Sequence, residues 1–238
     1  MEDFSEVLIR CSSLSCLFTE PKEKSKKDAG ELSQTAKTHL YEVYANLWGY
    51  EKDLVTKQMR KGTEAEHLGI NLLSMVEGEL YEKNDLRMQN DYITGHADIV
   101  TEDEIIDIKL SWDVFSFLPK LNEEVDKCYF YQLQGYMWLW GKENARICYC
   151  LVNTPDNIIQ GEKYRLLRSM DVVSEESPEF LKAAQRLENN MRFDKIPMEQ
   201  RVISQKVYRD EEIIKKIPEK VERAREFISN IYKTHFAA

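Results

Sequence analysis

Apolar residues recur at helical spacing in several stretches of the chain. Between residues 35 and 50 they fall at Ala36, Leu40, Val43, Tyr44 and Leu47, which predicts an amphipathic helix. A second helix is predicted over 62–76. The aromatic-rich segment 125–140 ends before Gly141 and is long enough to be a third helix. Charged and apolar residues alternate at helical spacing near 178–193 and 210–233, which indicates a helical C-terminal lobe.

Four shorter apolar or alternating runs predict β-strands, at 85–93, 95–100, 104–110 and 145–153. The first three follow one another directly and are interpreted as a meander. The order of helix, three strands, helix and strand favours an α/β fold, with a mixed central sheet flanked by helices.

We interpret 1–238 as a single domain. It is divided into an N-terminal segment and loop (1–35), a core (36–153) and a mostly helical C-terminal region (154–238).

Composition narrows the class of function. The 238 residues carry 33 basic and 42 acidic side chains, a net charge of -9, so binding of nucleic acid through bulk positive charge is excluded and any such role needs a local site. The five Cys lack the spacing of a structural zinc site and are expected to be reduced thiols. No run of 18 apolar residues occurs, so we expect a cytoplasmic protein without a membrane span.

Two carboxylates and a lysine fall on adjoining predicted strands. Asp98 lies on the second strand, and Asp107 and Lys109 share one face of the third because side chains alternate along a strand. Neighbouring carboxylates repel each other unless a proton or a cation lies between them, and hard divalent ions such as Mg²⁺ prefer oxygen ligands. A lysine beside them can orient a nucleophilic water or stabilise charge on a phosphate. These are the parts of a phosphodiester hydrolase.

The order of these motifs resembles the PD-(D/E)XK nuclease superfamily, in its RecB-like and phage lambda-exonuclease (YqaJ-like) branch, over roughly 36–153. Asp98, Asp107 and Lys109 match its hallmark, and Gln132-Leu133-Gln134-Gly135-Tyr136 matches its Gln-x-x-x-Tyr helix motif. The resemblance implies a restriction-endonuclease-like core. It also implies metal ligation by Asp98, Asp107 and the backbone carbonyl of Ile108, with Gln132 and Tyr136 as supporting catalytic residues.

The family also places an acidic residue or a histidine on the preceding helix. Helical geometry puts Glu66 at the edge of the apolar arc, whereas Glu64 and His67 point further out. Glu66 is therefore the predicted third acidic catalytic residue and metal ligand, and His67 is its reserve.

Resemblance to phage-type exonucleases implies that Arg10, Ser12 and Ser13 hold a terminal 5′ phosphate, a role for which a cation and hydroxyls are suited. Four basic residues are candidates for tracking the DNA backbone, although an ordinary solvated surface is the favoured interpretation for any single one: Lys57, Arg60, Lys61 and Lys120.

The expected function is Mg²⁺-dependent hydrolysis of DNA, with Mn²⁺ as a substitute. A phage-type exonuclease acting on double-stranded ends in recombination or repair is favoured. The alternatives are an endonuclease or junction resolvase of the same fold, and a non-catalytic DNA-binding or interaction module. Iron-sulfur nucleases of this branch need four Cys, including a C-terminal group of them. No Cys follows Cys150, so no iron-sulfur cluster is expected. A homo-oligomer and a single-strand-annealing or recombination partner are further expectations, in the cytoplasm of a bacterial or phage-infected cell.

Overall fold

The computed structural model describes residues 4–52, 55–171 and 174–236. The strands are β1 (Ile9–Arg10), β2 (Met88–Gln89), β3 (Ile93–Gly95), β4 (Ile99–Val100), β5 (Glu104–Leu110), β6 (Asn144–Cys150) and β7 (Val202–Tyr208). The α-helices are α1 (Leu14–Leu17), α2 (Lys24–Asp28), α3 (Gln34–Leu47), α4 (Lys57–Glu77), α5 (Val114–Phe117), α6 (Lys127–Trp140), α7 (Asp156–Ser169), α8 (Pro178–Asn189) and α9 (Glu211–His235). Short 3-10 helices cover Cys11–Ser13, Leu118–Leu121 and Met198–Gln200.

The strands form two mixed sheets. The larger sheet has the order β4-β5-β6-β7, in which β5 and β6 are parallel and the outer pairs are antiparallel. The smaller sheet has the order β1-β3-β2, with β1 parallel to β3. Helices flank the sheets and α9 forms a long C-terminal helix, so the expected mixed α/β fold with a helical C-terminal lobe is confirmed.

Strand β5 separates two apolar layers because its side chains alternate between the two faces of the sheet. Ile105 belongs to the larger layer, which includes the buried face of α6. Ile106 and Ile108 belong to the smaller layer beneath α4. A Cβ added to Gly69 of α4 would lie 2.6 Å from the Leu110 side chain and 2.8 Å from that of Ile108. This glycine lets α4 pack directly on the strand.

Two details of the strand prediction are wrong. The runs at 85–93, 95–100 and 104–110 do not form one meander, because β2 pairs with β3, and β3 pairs with β1, in the smaller sheet. The C-terminal region also contributes β7, which pairs with β6 over seven residues and forms an edge of the larger sheet. Charged neighbours and alternating exposure concealed this edge strand within a segment that otherwise has helical spacing.

The N-terminal segment belongs to the hydrophobic core. Ile9, Cys11, Leu14 and Leu17 are buried in the larger apolar layer, where α1 packs against α6. Within the described residues, no helix combines the length and apolar character needed to cross a membrane.

Candidate active site

The larger sheet brings Asp98 and Asp107 together. Asp98 directly precedes β4, and the antiparallel register pairs Ile99 with Ile106, so continuing it by one residue places Asp98 beside Asp107. The Asp98 Oδ2 atom accepts a 2.7 Å hydrogen bond from the backbone N–H of Ile108. Asp107 lies in the middle of β5 and is 1% exposed. The two carboxylates are thus fixed on neighbouring chain segments.

Lys109 lies two residues after Asp107 on the same face of β5. Its Nζ atom is 2.5 Å from Asp107 Oδ2, and its side chain is partly exposed. The strand alternation predicted from the sequence therefore holds, and it joins the lysine to one carboxylate of the pair.

The charged groups of the site alter one another's pKa. Burial and the negative charge of Asp107 together raise the pKa of Asp98 to about 7, against the attraction of Lys109. For Lys109, burial favours the neutral amine, but Asp107 and Asp98 outweigh it and the pKa rises above its ordinary value. The site therefore favours positive charge between and beside its carboxylates.

Helix α6 completes one side of the site. Gln132 Nε2 lies 3.1 Å from Asp107 Oδ1 and 2.9 Å from the Tyr136 hydroxyl, to both of which it donates. Residues four apart share a helix face, as the spacing predicted, and Gln132 reaches Asp107 of β5 from that face. The Tyr136 ring packs on Gly95, where an added Cβ would lie 2.7 Å from it. Burial raises the pKa of Tyr136, so its hydroxyl stays protonated.

Helix α4 places the three predicted acidic or histidine candidates differently. Glu66 is partly buried and forms a 2.8 Å ion pair with Lys83, and its charge contributes to the raised pKa of Asp98. Glu64 instead accepts hydrogen bonds from Arg60 and Asn157. His67 is exposed. Of the three residues, Glu66 is the one whose charge reaches Asp98.

The N-terminal segment lies next to the Tyr136 side of this cluster. Strand β1 pairs Arg10 with Thr94, and the buried Cys11 sulfur would be 2.8 Å from a Cβ at either Gly95 or Gly135. Arg10 and Ser12 are exposed and Ser13 is half-buried. Their role in phosphate binding stays a prediction.

The expectation for one basic residue is wrong. Lys61 is fully buried, and its Nζ atom donates to the backbone carbonyl of Ser111 at 2.7 Å. A side chain enclosed in this way is unavailable to a DNA backbone. Lys57 is paired with Glu162, and Lys120 with Glu123.

The sequence matches no protein-family model and no curated protein sequence. Its fold, however, is similar to the crystal structure of a phage-related exonuclease from Haemophilus somnus 129PT. The two share 30% sequence identity over 96% of each chain, with a TM-score of 0.74. The chain belongs to the phage lambda-exonuclease-like (YqaJ-like) branch of the PD-(D/E)XK nucleases.

An alkaline exonuclease from Laribacter hongkongensis shares the fold of this YqaJ-like chain at 12% identity. The alignment covers 96% of this chain and 91% of that chain, with a TM-score of 0.62. A second structure of that protein, in complex with dAMP, gives a TM-score of 0.61. These likenesses support the restriction-endonuclease-like core expected from the sequence.

Two residues near the site of this YqaJ-like nuclease were missed in the sequence. The Tyr129 ring centroid lies 4.8 Å from Lys109 Nζ, and Lys83 pairs with Glu66. Tyr129 precedes Gln132 by three positions, so helical spacing gave a signal for it. Lys83 lies in a segment between α4 and β2 with no periodic pattern, and nothing in the sequence indicated it.

The donor set of the site suits a hard cation. Asp107 Oδ2 is buried and lies 2.5 Å from the Lys109 ammonium. Two adjacent carboxylates and a single ammonium leave room for further positive charge, and oxygen donors of this type suit Mg²⁺ or Mn²⁺. Within residues 4–52, 55–171 and 174–236, no set of three His, Cys, Asp or Glu side chains already has the arrangement of a metal site. The pairing of Glu66 with Lys83 draws the third predicted acid toward another partner.

Proposed function

We propose that this nuclease is a metal-dependent exodeoxyribonuclease that degrades double-stranded DNA from a free end. The observation that carries the proposal is the partly buried junction of Asp98, Asp107, Lys109 and Gln132, which joins two carboxylates, an ammonium and an orienting amide in one place. The similarity to the Haemophilus somnus phage-related exonuclease supports the exonuclease activity.

The residues that would hold the metal are Asp98 and Asp107, with Glu66 as a third carboxylate and the Ile108 backbone carbonyl as a further oxygen. The family implies a divalent ion, and we propose Mg²⁺, with Mn²⁺ as its substitute. When bound, such an ion polarises the phosphate and lowers the pKa of a water molecule.

The protein's own residues have separable roles in this proposal. The hydrogen bond from Ile108 fixes Asp98, and the amide of Gln132 fixes Asp107 Oδ1 so that Oδ2 faces Lys109. The Lys109 ammonium orients the nucleophilic water or stabilises the negative charge that develops on the phosphate. Tyr136 stays neutral and holds the Gln132 amide.

The finer features of the substrate are part of the same proposal. Arg10, Ser12 and Ser13 would bind a terminal 5′ phosphate, which is supported by the pairing of β1 with β3 beside Gly95. We also propose that the chain forms a homo-oligomer and acts with a recombination partner protein. The proposed location is the cytoplasm of a bacterial or phage-infected cell.

The deciding experiment incubates the full chain with end-labelled linear duplex and with closed circular DNA, in Mg²⁺, Mn²⁺ or EDTA. We expect metal-dependent loss of the linear DNA alone. Asp107→Ala and Lys109→Ala should each lower the rate by at least about 100-fold, because each removes a charged group from the reacting centre. Asp103→Ala and Lys215→Ala, which change exposed residues outside the cluster, are the matched controls and should retain the wild-type rate.

Other outcomes distinguish the alternatives. Cutting of the closed circle would replace the exonuclease with an endonuclease, and preferential cutting of a four-way junction would indicate a resolvase. If neither DNA is cut with any metal, while the wild type and both variants bind DNA equally, the protein is a binding module and the catalytic proposal is wrong.

A further inference from the structure

The Lys109 ammonium has an aromatic neighbour in addition to its carboxylate partner. Its Nζ atom lies 4.8 Å from the centroid of the Tyr129 ring, within the range of a cation–π contact. Tyr129 lies on α6 three positions before Gln132, which donates a hydrogen bond to Asp107. One face of α6 therefore contacts both the carboxylate and the ammonium of the same ion pair.

The Tyr129 ring is itself held from the sheet. Tyr149 of β6 is opposite Lys109 in the parallel register, is 4% exposed, and packs edge-on against Tyr129 with ring centroids 6.5 Å apart. The Lys120 ammonium lies 5.5 Å from the Tyr149 ring centroid. The rings of Tyr129 and Tyr149 thus form a continuous wall beside Lys109. The buried Tyr149 of the strand fixes the ring of Tyr129.

A lysine needs such a wall to act from one position. Its four-carbon stem has many rotamers, and the ion pair with Asp107 fixes only the distance between the two charges. The negative face of an aromatic ring attracts an ammonium without accepting its protons, so the N–H groups stay available for a water molecule or a phosphate.

We propose that Tyr129 is a positioning residue for Lys109, with its ring holding the ammonium where it acts on the substrate. The inference rests on the proposed function, because it assumes that Lys109 takes part in the hydrolysis. It assigns the effect to the ring and none to the hydroxyl group.

The test compares Tyr129→Phe, which keeps the ring, with Tyr129→Leu, which removes it, in steady-state kinetics on linear duplex DNA. We expect Tyr129→Leu to lower kcat between about two- and thirty-fold with an unchanged KM for DNA, the range that a contact of this kind is worth. Tyr129→Phe should retain the wild-type kcat. Tyr164→Leu is the matched control because it removes a surface cation–π contact, with Arg168 on α7, and it should change neither constant.

A double-mutant cycle separates positioning from general damage to the fold. In a Lys109→Ala background, Tyr129→Leu should cause no further loss of the residual rate, because the ring then has no ammonium to hold. Thermal denaturation checks that each variant is folded, and Tyr129→Met replaces Tyr129→Leu if the latter does not fold.

Three results would overturn the inference. The first is an equal loss in Tyr129→Phe, which would assign the effect to the hydroxyl. The second is an equal loss with and without Lys109, and the third is a wild-type rate in Tyr129→Leu. A wild-type rate in Lys109→Ala would instead refute the proposed function, so the two failures are distinguishable.

Discussion

Two ionic clusters on opposite faces of the larger sheet contain the same charges and behave differently. Arg146 of β6 donates to Glu77 at 2.5 and 2.8 Å, to Glu104 at 2.8 Å and to the Tyr81 hydroxyl at 3.0 Å. The other cluster joins Asp98 and Asp107 to Lys109. Each has two carboxylates and one cation, yet the pKa of Glu77 is lowered by its bonds to Arg146 whereas the pKa of Asp98 is raised to about 7 by burial and by Asp107.

Geometry explains the difference. A guanidinium presents several N–H groups in a rigid plane and can satisfy carboxylates on separate edges. At the other cluster, adjacent carboxylates share one point charge and repel each other. In the structural cluster Glu77 has a lowered pKa and is saturated by hydrogen-bond donors, whereas in the proposed catalytic cluster Asp98 lacks sufficient positive charge.

The largest effect is expected when Arg146, the cation of the structural cluster with Glu77 and Glu104, is removed. Arg146→Leu leaves two partly buried carboxylates without their partner and should lower the free energy of unfolding by ~3–5 kcal/mol. The nuclease rate of the folded fraction should stay within about three-fold of wild type, because no residue of the proposed catalytic cluster is changed. Urea denaturation and initial rates are the measurements.

Arg165→Leu is the matched control for Arg146→Leu. Arg165 is 70% exposed and pairs with Glu162, so its loss should cost less than ~1 kcal/mol. The comparison fails if Arg146→Leu keeps its stability or loses catalysis while folded.

Lys61 sharpens the comparison because it is a buried cation that contacts carbonyl groups in place of carboxylates. Burial lowers its pKa from 10.5 to about 8, against the attraction of Asp113. Between those pH values the unfolded chain binds more protons than the folded one, so this group makes stability rise with pH. This lowering of the Lys61 pKa corresponds to a change of ~3 kcal/mol in the free energy of unfolding.

The measurement is the free energy of unfolding of wild type minus that of Lys61→Met, from about pH 7 to about pH 10.5. We expect this difference to increase with pH across the window by up to ~3 kcal/mol. The same difference for Lys215→Met, on the exposed face of α9, should be flat. A flat profile for Lys61 as well would mean that burial does not depress its pKa.

Local pattern predicted most of the elements and the centre of the site. Alternation along β5 placed Asp107 and Lys109 on one face of the strand. The four-residue spacing placed Gln132 and Tyr136 on one face of α6, and these two faces meet in the structure. Both are short-range rules that depend on one element each.

Features that depend on pairing between distant segments were not predictable. The division of β2 and β3 from β4 depends on the N-terminal β1, and the edge strand β7 is recruited from more than fifty residues beyond β6. The burial of Lys61 depends on carbonyl groups that follow β5. The partner of Glu66, Lys83, lies in a segment without secondary structure.

The smallest effects are expected from two matched substitutions. Each replaces a carboxylate with an uncharged amide, and the two should change the stability of the fold in opposite directions. Asp98→Asn removes one of two repelling charges while its amide oxygen can still accept from Ile108, so in EDTA it should stabilise the fold by ~1–2 kcal/mol, as is common where a site trades stability for activity. Glu77→Gln removes a charge that Arg146 needs and should cost ~1–3 kcal/mol.

Thermal denaturation with and without Mg²⁺ extends the comparison of these two variants. The ion should raise the melting temperature of the wild type and of Glu77→Gln, because ligand that binds the folded state stabilises it, and should leave Asp98→Asn unchanged. A loss of stability in Asp98→Asn would mean that its charge is already compensated by Lys109 and Ile108. In that case the two clusters would differ in position alone, and the shortage of positive charge would no longer mark the proposed catalytic one.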